Sequence, residues 1–176
     1  MPVPAHLVDT NILLRIARRD DPDHTTVDVA LARLAEAGTV LYYTHQNIAE
    51  FWNVATRPAD RNGFGLTPAD ADREIRAIEK GMVLLPDSEA IYHEWRRLVV
   101  VHAVSGVQVH DARLAAAMKT HAVTHLLSIN HCFLPNTTTI PLPLTLLQGC
   151  VEFWNLLHPL IPLSQRIALT LTLILL

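Results

Sequence analysis

The chain has 176 residues, half of them hydrophobic, enough to bury one full core and leave a tail. A net charge of −3 and an isoelectric point of about 6.3 exclude a global basic field for nucleic acid and leave any such contact to local patches. Its two cysteines, Cys132 and Cys150, have no metal-ligand spacing, which excludes a disulfide framework and a zinc site.

No basic region followed by a long apolar stretch opens the chain, so cytoplasm is the expected location. Ala5 to Val8 is a short apolar run closed by Asp9-Thr10-Asn11, and it reads as a buried strand delivering Asp9 to a helix N-terminus. The following helix spans Ile12 to Arg19, with Thr10 or Asn11 able to cap it. After the turn Asp20-Asp21-Pro22-Asp23, a helix carries Val27, Leu31, Leu34 and Ala35 and closes at Gly38. Thr39 to Tyr43 is β-branched and aromatic, a second strand. Thr44 caps a helix with the apolar stripe Ile48, Phe51, Trp52 and Ala55, which ends before Pro58.

Arg57 to Leu66 is a loop. Thr67-Pro68 starts a helix through Ala71, Ile75 and Ile78 to Gly81. Met82 to Leu85 is a third strand. Asp87 or Ser88 begins a helix that buries Ile91, Trp95, Leu98 and Val99. Ser105-Gly106 breaks the chain, His110-Asp111 opens a helix through Leu114, Ala115 and Met118, and Thr124 to Ile129 is the last strand. This alternation predicts an α/β fold with a mostly parallel sheet covered on both faces.

Three carboxylates fall at junctions of these elements: Asp9 ends a strand, Glu50 rides a helix after a strand, and Asp111 opens a helix after a glycine break. Grouped carboxylates repel, and a hard divalent cation such as Mg²⁺ or Mn²⁺ removes that penalty with oxygen ligands. Such an ion activates water, orients phosphate and stabilises a leaving oxygen, the three needs of phosphodiester hydrolysis. Each acid also has a plainer reading. Asp9 is a potential cap, Glu50 shares its face with Gln46, Asn47, Asn53 and Arg57 as on a solvated side, and Asp111 complements a helix dipole.

Taken together, these stretches resemble the PIN domain, and in particular the VapC-type toxins of bacterial toxin–antitoxin pairs. The likeness rests on Leu7-Val8-Asp9-Thr10-Asn11, on Asn47-Ile48-Ala49-Glu50-Phe51-Trp52-Asn53, and on Thr56-Arg57-Pro58 with Arg61-Asn62-Gly63. It continues through Val104-Ser105-Gly106, Val109-His110-Asp111-Ala112-Arg113-Leu114-Ala115-Ala116 and Thr124-His125-Leu126-Leu127-Ser128-Ile129-Asn130. The resemblance implies a three-layer α/β/α sandwich and Mg²⁺- or Mn²⁺-dependent RNA cleavage. It also implies a homodimer restrained by a small antitoxin protein. Asp9, Glu50 and Asp111 match three of the family's acidic positions, and Thr10, Asn11 and Asn130 match polar positions that orient ligands or water.

The sequence departs from the family where a fourth acid usually follows. Asn130 leads into His131-Cys132-Phe133-Leu134-Pro135, and no carboxylate comes before Glu152. Beyond Asn130 the composition turns rich in Leu, Pro and Thr, with Arg166 as the only Lys or Arg. We therefore expect a nuclease-like unit over 1–130 and an atypical apolar extension over 131–176. A shifted reading frame would account for both changes, and a genuine apolar extension covering a sheet edge or dimer surface is the other reading. The apolar end from Ile167 is too short to span a bilayer, so no membrane partner is expected.

Among rivals, an aspartyl phosphotransferase would need a second Asp two residues after Asp9, where Asn11 stands. A catalytically weak PIN fold that binds antitoxin or RNA is the alternative from a different class. For RNA phosphates the candidates are Arg57, Arg61 and Arg113, with Arg96 and Arg97 read as a solvated helix face.

Overall fold

The computed structural model describes residues 5–129. Within them four strands, β1 (Ala5–Val8), β2 (Val40–Tyr43), β3 (Val83–Leu84) and β4 (His125–Leu127), form one parallel sheet in the order β3-β2-β1-β4. The helices are α1 (Thr10–Ala17), α2 (His24–Glu36), α3 (His45–Thr56), α4 (Pro68–Gly81), α5 (Glu89–Val101) and α6 (Gln108–Thr120).

Strand periodicity divides the core in two. Val8, Leu41, Tyr43 and Leu127 pack with Ile12, Val27, Phe51 and Ile75 from α1 to α4. Their neighbours Leu7 and Leu126 point the other way, onto Ile91 and Leu98 of α5 and Leu114 and Met118 of α6. Helices therefore cover both faces, giving the expected three-layer sandwich. A second pairing across β1 and β4 stacks His6 on His125, with ring centroids 4.7 Å apart. Burial, and then the nearby His125, push His6 down to about 4, so it is neutral in the core.

The winding locates the site. β1 crosses to β2, and β2 to β3, through helices on one face, whereas β3 reaches β4 through α5 and α6 on the other. The winding thus reverses between β1 and β4. In open α/β sheets, the crevice outside the carboxyl ends of strands at such a reversal is where ligands bind.

Several boundaries differ from the sequence reading. Helix α1 starts at Thr10 and ends at Ala17, with Asp9 at the N-cap, so Thr10 and Asn11 are first-turn residues rather than caps. Helix α6 starts at Gln108, ahead of His110-Asp111, because its N-cap Val107 contributes no side-chain bond that would mark the boundary. The third strand shrinks to Val83–Leu84, both exposed at the sheet edge. In α3, Phe51 is fully buried while Trp52 is 37% exposed, one residue off the stripe of Phe51 and Ala55. Ala35 is also exposed.

Thr44, predicted as a cap, and Thr67 and Ser88, at predicted helix starts, each accept an amide hydrogen bond in the first turn, which decides for Ser88 over Asp87. Among the described residues, no helix is long and apolar enough to cross a membrane. Asn130, His131 and the predicted extension over 131–176 lie outside the described residues.

Candidate active site

Asp9 leaves the end of β1 with its backbone amide still bonded to the Leu127 carbonyl of β4 at 2.9 Å. Its extended backbone (φ −74°, ψ 153°) suits an N-cap, yet its side chain forms no capping hydrogen bond. Oδ2 accepts instead from Asn11 Nδ2 at 2.6 Å and from Ser128 Oγ at 2.9 Å. Asn11 Nδ2 also donates to Ser128 Oγ at 2.8 Å, closing a buried triangle across β1 and β4. Its side-chain partners thus tie Asp9 to β4 as well as to α1. Burial pushes its carboxyl above the ordinary value, opposed by the Ser128 hydroxyl and the nearby Thr10 amide, with Glu50 adding to the rise.

Glu50 sits in the second turn of α3, whose start is fixed by a reciprocal cap. Asn47 Oδ1 accepts from the Thr44 amide at 2.8 Å, and the Asn47 amide donates to Thr44 Oγ1 at 3.2 Å. Asn47 Nδ2 reaches across to Thr10 Oγ1 at 3.1 Å, and Thr10 Oγ1 in turn donates to Glu50 Oε2 at 2.7 Å. The other carboxylate oxygen, Oε1, accepts from Gln46 Nε2 at 2.8 Å and lies 3.6 Å from His110 Nδ1.

The polar face of α3 is thus not simply a solvated side. Gln46 and Asn47 are buried, and only Asn53 of the three is exposed. Asn47→Ala should strand the Thr44 amide and its hydroxyl partner together. We expect a loss of about 2–3 kcal/mol, read from the midpoint of urea unfolding. A loss below about 0.5 kcal/mol would show that water replaces the amide without cost.

Asp111 lies in the first turn of α6, where a helix dipole alone would favour its charged form. The opposite holds. Its carboxyl is pushed up to about 6 by burial, then by the charges of Asp9 and Glu50, with His110 opposing. The structure thus brings Asp9, Glu50 and Asp111 into one electrostatic neighbourhood outside the carboxyl ends of β1 and β4, with Thr10 and Asn11 on the carboxylates. His110, separated from Glu50 by sixty residues in sequence, joins the same pocket.

Among the described residues, no three His, Cys, Asp or Glu side chains form a group that could hold a metal ion. Mg²⁺ fits an open set, because it keeps several waters and takes only one or two carboxylates from a protein. The donors are all oxygen, which suits Mg²⁺ or Mn²⁺ and not a soft metal.

Of the arginines considered for phosphate, Arg113 pairs with Asp87 and Arg97 with Glu94, while Arg61 and Arg96 are exposed and Arg57 is half-buried. Sequence reasoning passed over Gln46, Asn47 and Ser128. The spacing Thr44 to Asn47 was a usable cap signal, and Gln46 precedes Glu50 by one helical repeat; Ser128 had no local signal.

The solved structure of Mycobacterium tuberculosis VapC20, described as a sarcin-ricin loop cleaving toxin, shares this fold. Its TM-score is 0.55 at 16% identity, over 73% of this chain and 92% of that one. No curated protein sequence matches the chain. The PIN domain family model aligns with residues 6–131, well over half the chain and the stretch that holds the sheet and all three carboxylates. The chain belongs to the PIN domain family.

Proposed function

We propose that this protein is a metal-dependent endoribonuclease of the VapC toxin type, with Asp9, Glu50 and Asp111 as its metal-binding and catalytic acids. The observation that carries this reading is the pocket of mutually repelling carboxylates where the sheet winding reverses, in a chain of the PIN family. Membership of that family and the fold shared with a sarcin-ricin loop cleaving toxin support RNA as the substrate class.

A bound Mg²⁺ or Mn²⁺ would supply Lewis acidity toward a phosphate oxygen and toward the attacking water. The chain's own residues do the rest. Asn11 and Ser128 fix the Asp9 carboxylate, Thr10 and Gln46 fix each oxygen of Glu50, and burial keeps these groups rigid. His110 near Glu50 faces the same pocket and can meet an anionic substrate. Asn130 completes the polar set in this proposal. The same reading includes a homodimer, a small antitoxin partner and a cytoplasmic location.

A second reading follows from the sequence between Asn130 and Glu152, which contains no carboxylate. A PIN fold lacking the usual fourth acid would bind RNA or antitoxin with little turnover. RNA cleavage by the purified chain with Mn²⁺, with and without EDTA, separates the two. Cutting that EDTA stops supports the nuclease. A folded chain that does not cut leaves the binding module.

A further inference from the structure

Gln46 ties Glu50 on α3 to the first turn of α6, where the His110 ring also approaches Glu50. It lies on α3 one helical repeat before Glu50, and its Nε2 donates both to Glu50 Oε1 at 2.8 Å and to the His110 carbonyl at 3.0 Å. The second bond reaches the first turn of α6, one residue before Asp111. Both Nε2 protons are therefore used, and a flipped amide would set Oε1 against two acceptors, so the orientation is dictated by its partners. Oε1 then faces no protein donor although the side chain is 93% buried.

A glutamine recruited only to pack α3 would not need two acceptors from different elements and a buried acceptor of its own. We propose that Gln46 is the positioning residue of the acid pocket. Through Nε2 it fixes the separation of Glu50 from the helix that carries Asp111. This inference rests on the nuclease reading above and deepens it. Glu50 and Asp111 come from elements 64 residues apart at the Gln46–His110 link, so their spacing is set by contacts of this kind rather than by local backbone.

The test is Mn²⁺ binding by the full-length, metal-stripped chain, followed by calorimetry and by the Mn²⁺ electron paramagnetic resonance signal. RNA cleavage is measured beside it. Gln46→Met keeps the bulk and removes both hydrogen bonds. We expect about tenfold weaker Mn²⁺ binding and a kcat lowered about 10- to 100-fold, with KM for RNA unchanged and cooperative unfolding retained. Gln46→Asn keeps the amide but cannot span both acceptors, so it should show the same direction of change; it serves as the deciding variant if Gln46→Met does not fold. A folded variant with wild-type Mn²⁺ affinity and kcat overturns the role of Gln46 while leaving the nuclease intact. A wild-type chain that neither binds Mn²⁺ nor cuts RNA overturns the nuclease reading and this inference with it.

Discussion

Asp9→Asn is expected to lower Mn²⁺-dependent RNA cleavage by about a thousandfold or more and to leave the chain folded. The loss follows from removing a charged oxygen ligand where several kcal/mol of transition-state stabilisation depend on it; about 4 kcal/mol is about a thousandfold. The retained fold follows from the geometry. An asparagine carbonyl in place of Oδ2 still accepts from Asn11 and Ser128. Burial already works against the Asp9 charge, so replacing it with a neutral amide should leave metal-free stability equal or higher. Initial rates with Mn²⁺ and urea unfolding in EDTA measure the two parts. An Asp9→Asn chain that unfolds where the parent is folded would assign Asp9 to structure rather than chemistry.

The second large effect concerns pH. Asp111 is raised from 3.8 to about 6, and Asp9 is raised as well. Between about pH 4 and pH 6 these two carboxyls hold protons in the folded, metal-free chain that the unfolded chain has released, so their contribution to stability falls as pH rises, while His6, lowered to about 4, contributes the opposite slope over the same window. Asp111 is half exposed, and solvent screens its neighbours. The fall attributable to it is therefore smaller than the about 3 kcal/mol that a fully buried carboxyl moved that far would carry. Mn²⁺ should remove the falling component, since a cation offsets the repulsion that raised these groups. Asp111→Asn should remove the part that belongs to Asp111 without metal. Unfolding midpoints of the parent and of Asp111→Asn across that range, in EDTA and then in Mn²⁺, decide the matter; a difference between the two chains in EDTA that does not change with pH would contradict it.

Much of this molecule was legible before its coordinates. Strand and helix alternation came from apolar periods, and Thr44, Thr67 and Ser88 announced helix starts because caps are local chemistry. The three acids stood out because each sits where an element begins or ends. What escaped notice was polar and buried. Gln46 and Asn47 read as a wet helix face since their partners, His110 and Thr10, lie 64 and 37 residues away. Ser128 joins Asp9 across 119 residues, and no window of sequence reports such a pairing. Val107 gave no sign of starting α6 because a hydrophobic N-cap has nothing to donate or accept. Trp52 was placed inside by its type, whereas the helical phase set by Phe51 and Ala55 turns it to solvent.

The bond between Ser128 and Asp9 has a consequence for how the chain is made. β1 is made before β4, and its carboxylate is seated only when β4 arrives beside it. Folding of the acid pocket is therefore deferred to the end of the unit, after α5 and α6 have carried the chain over the back of the sheet. A chain interrupted before β4 has Asp9 without its Ser128 partner.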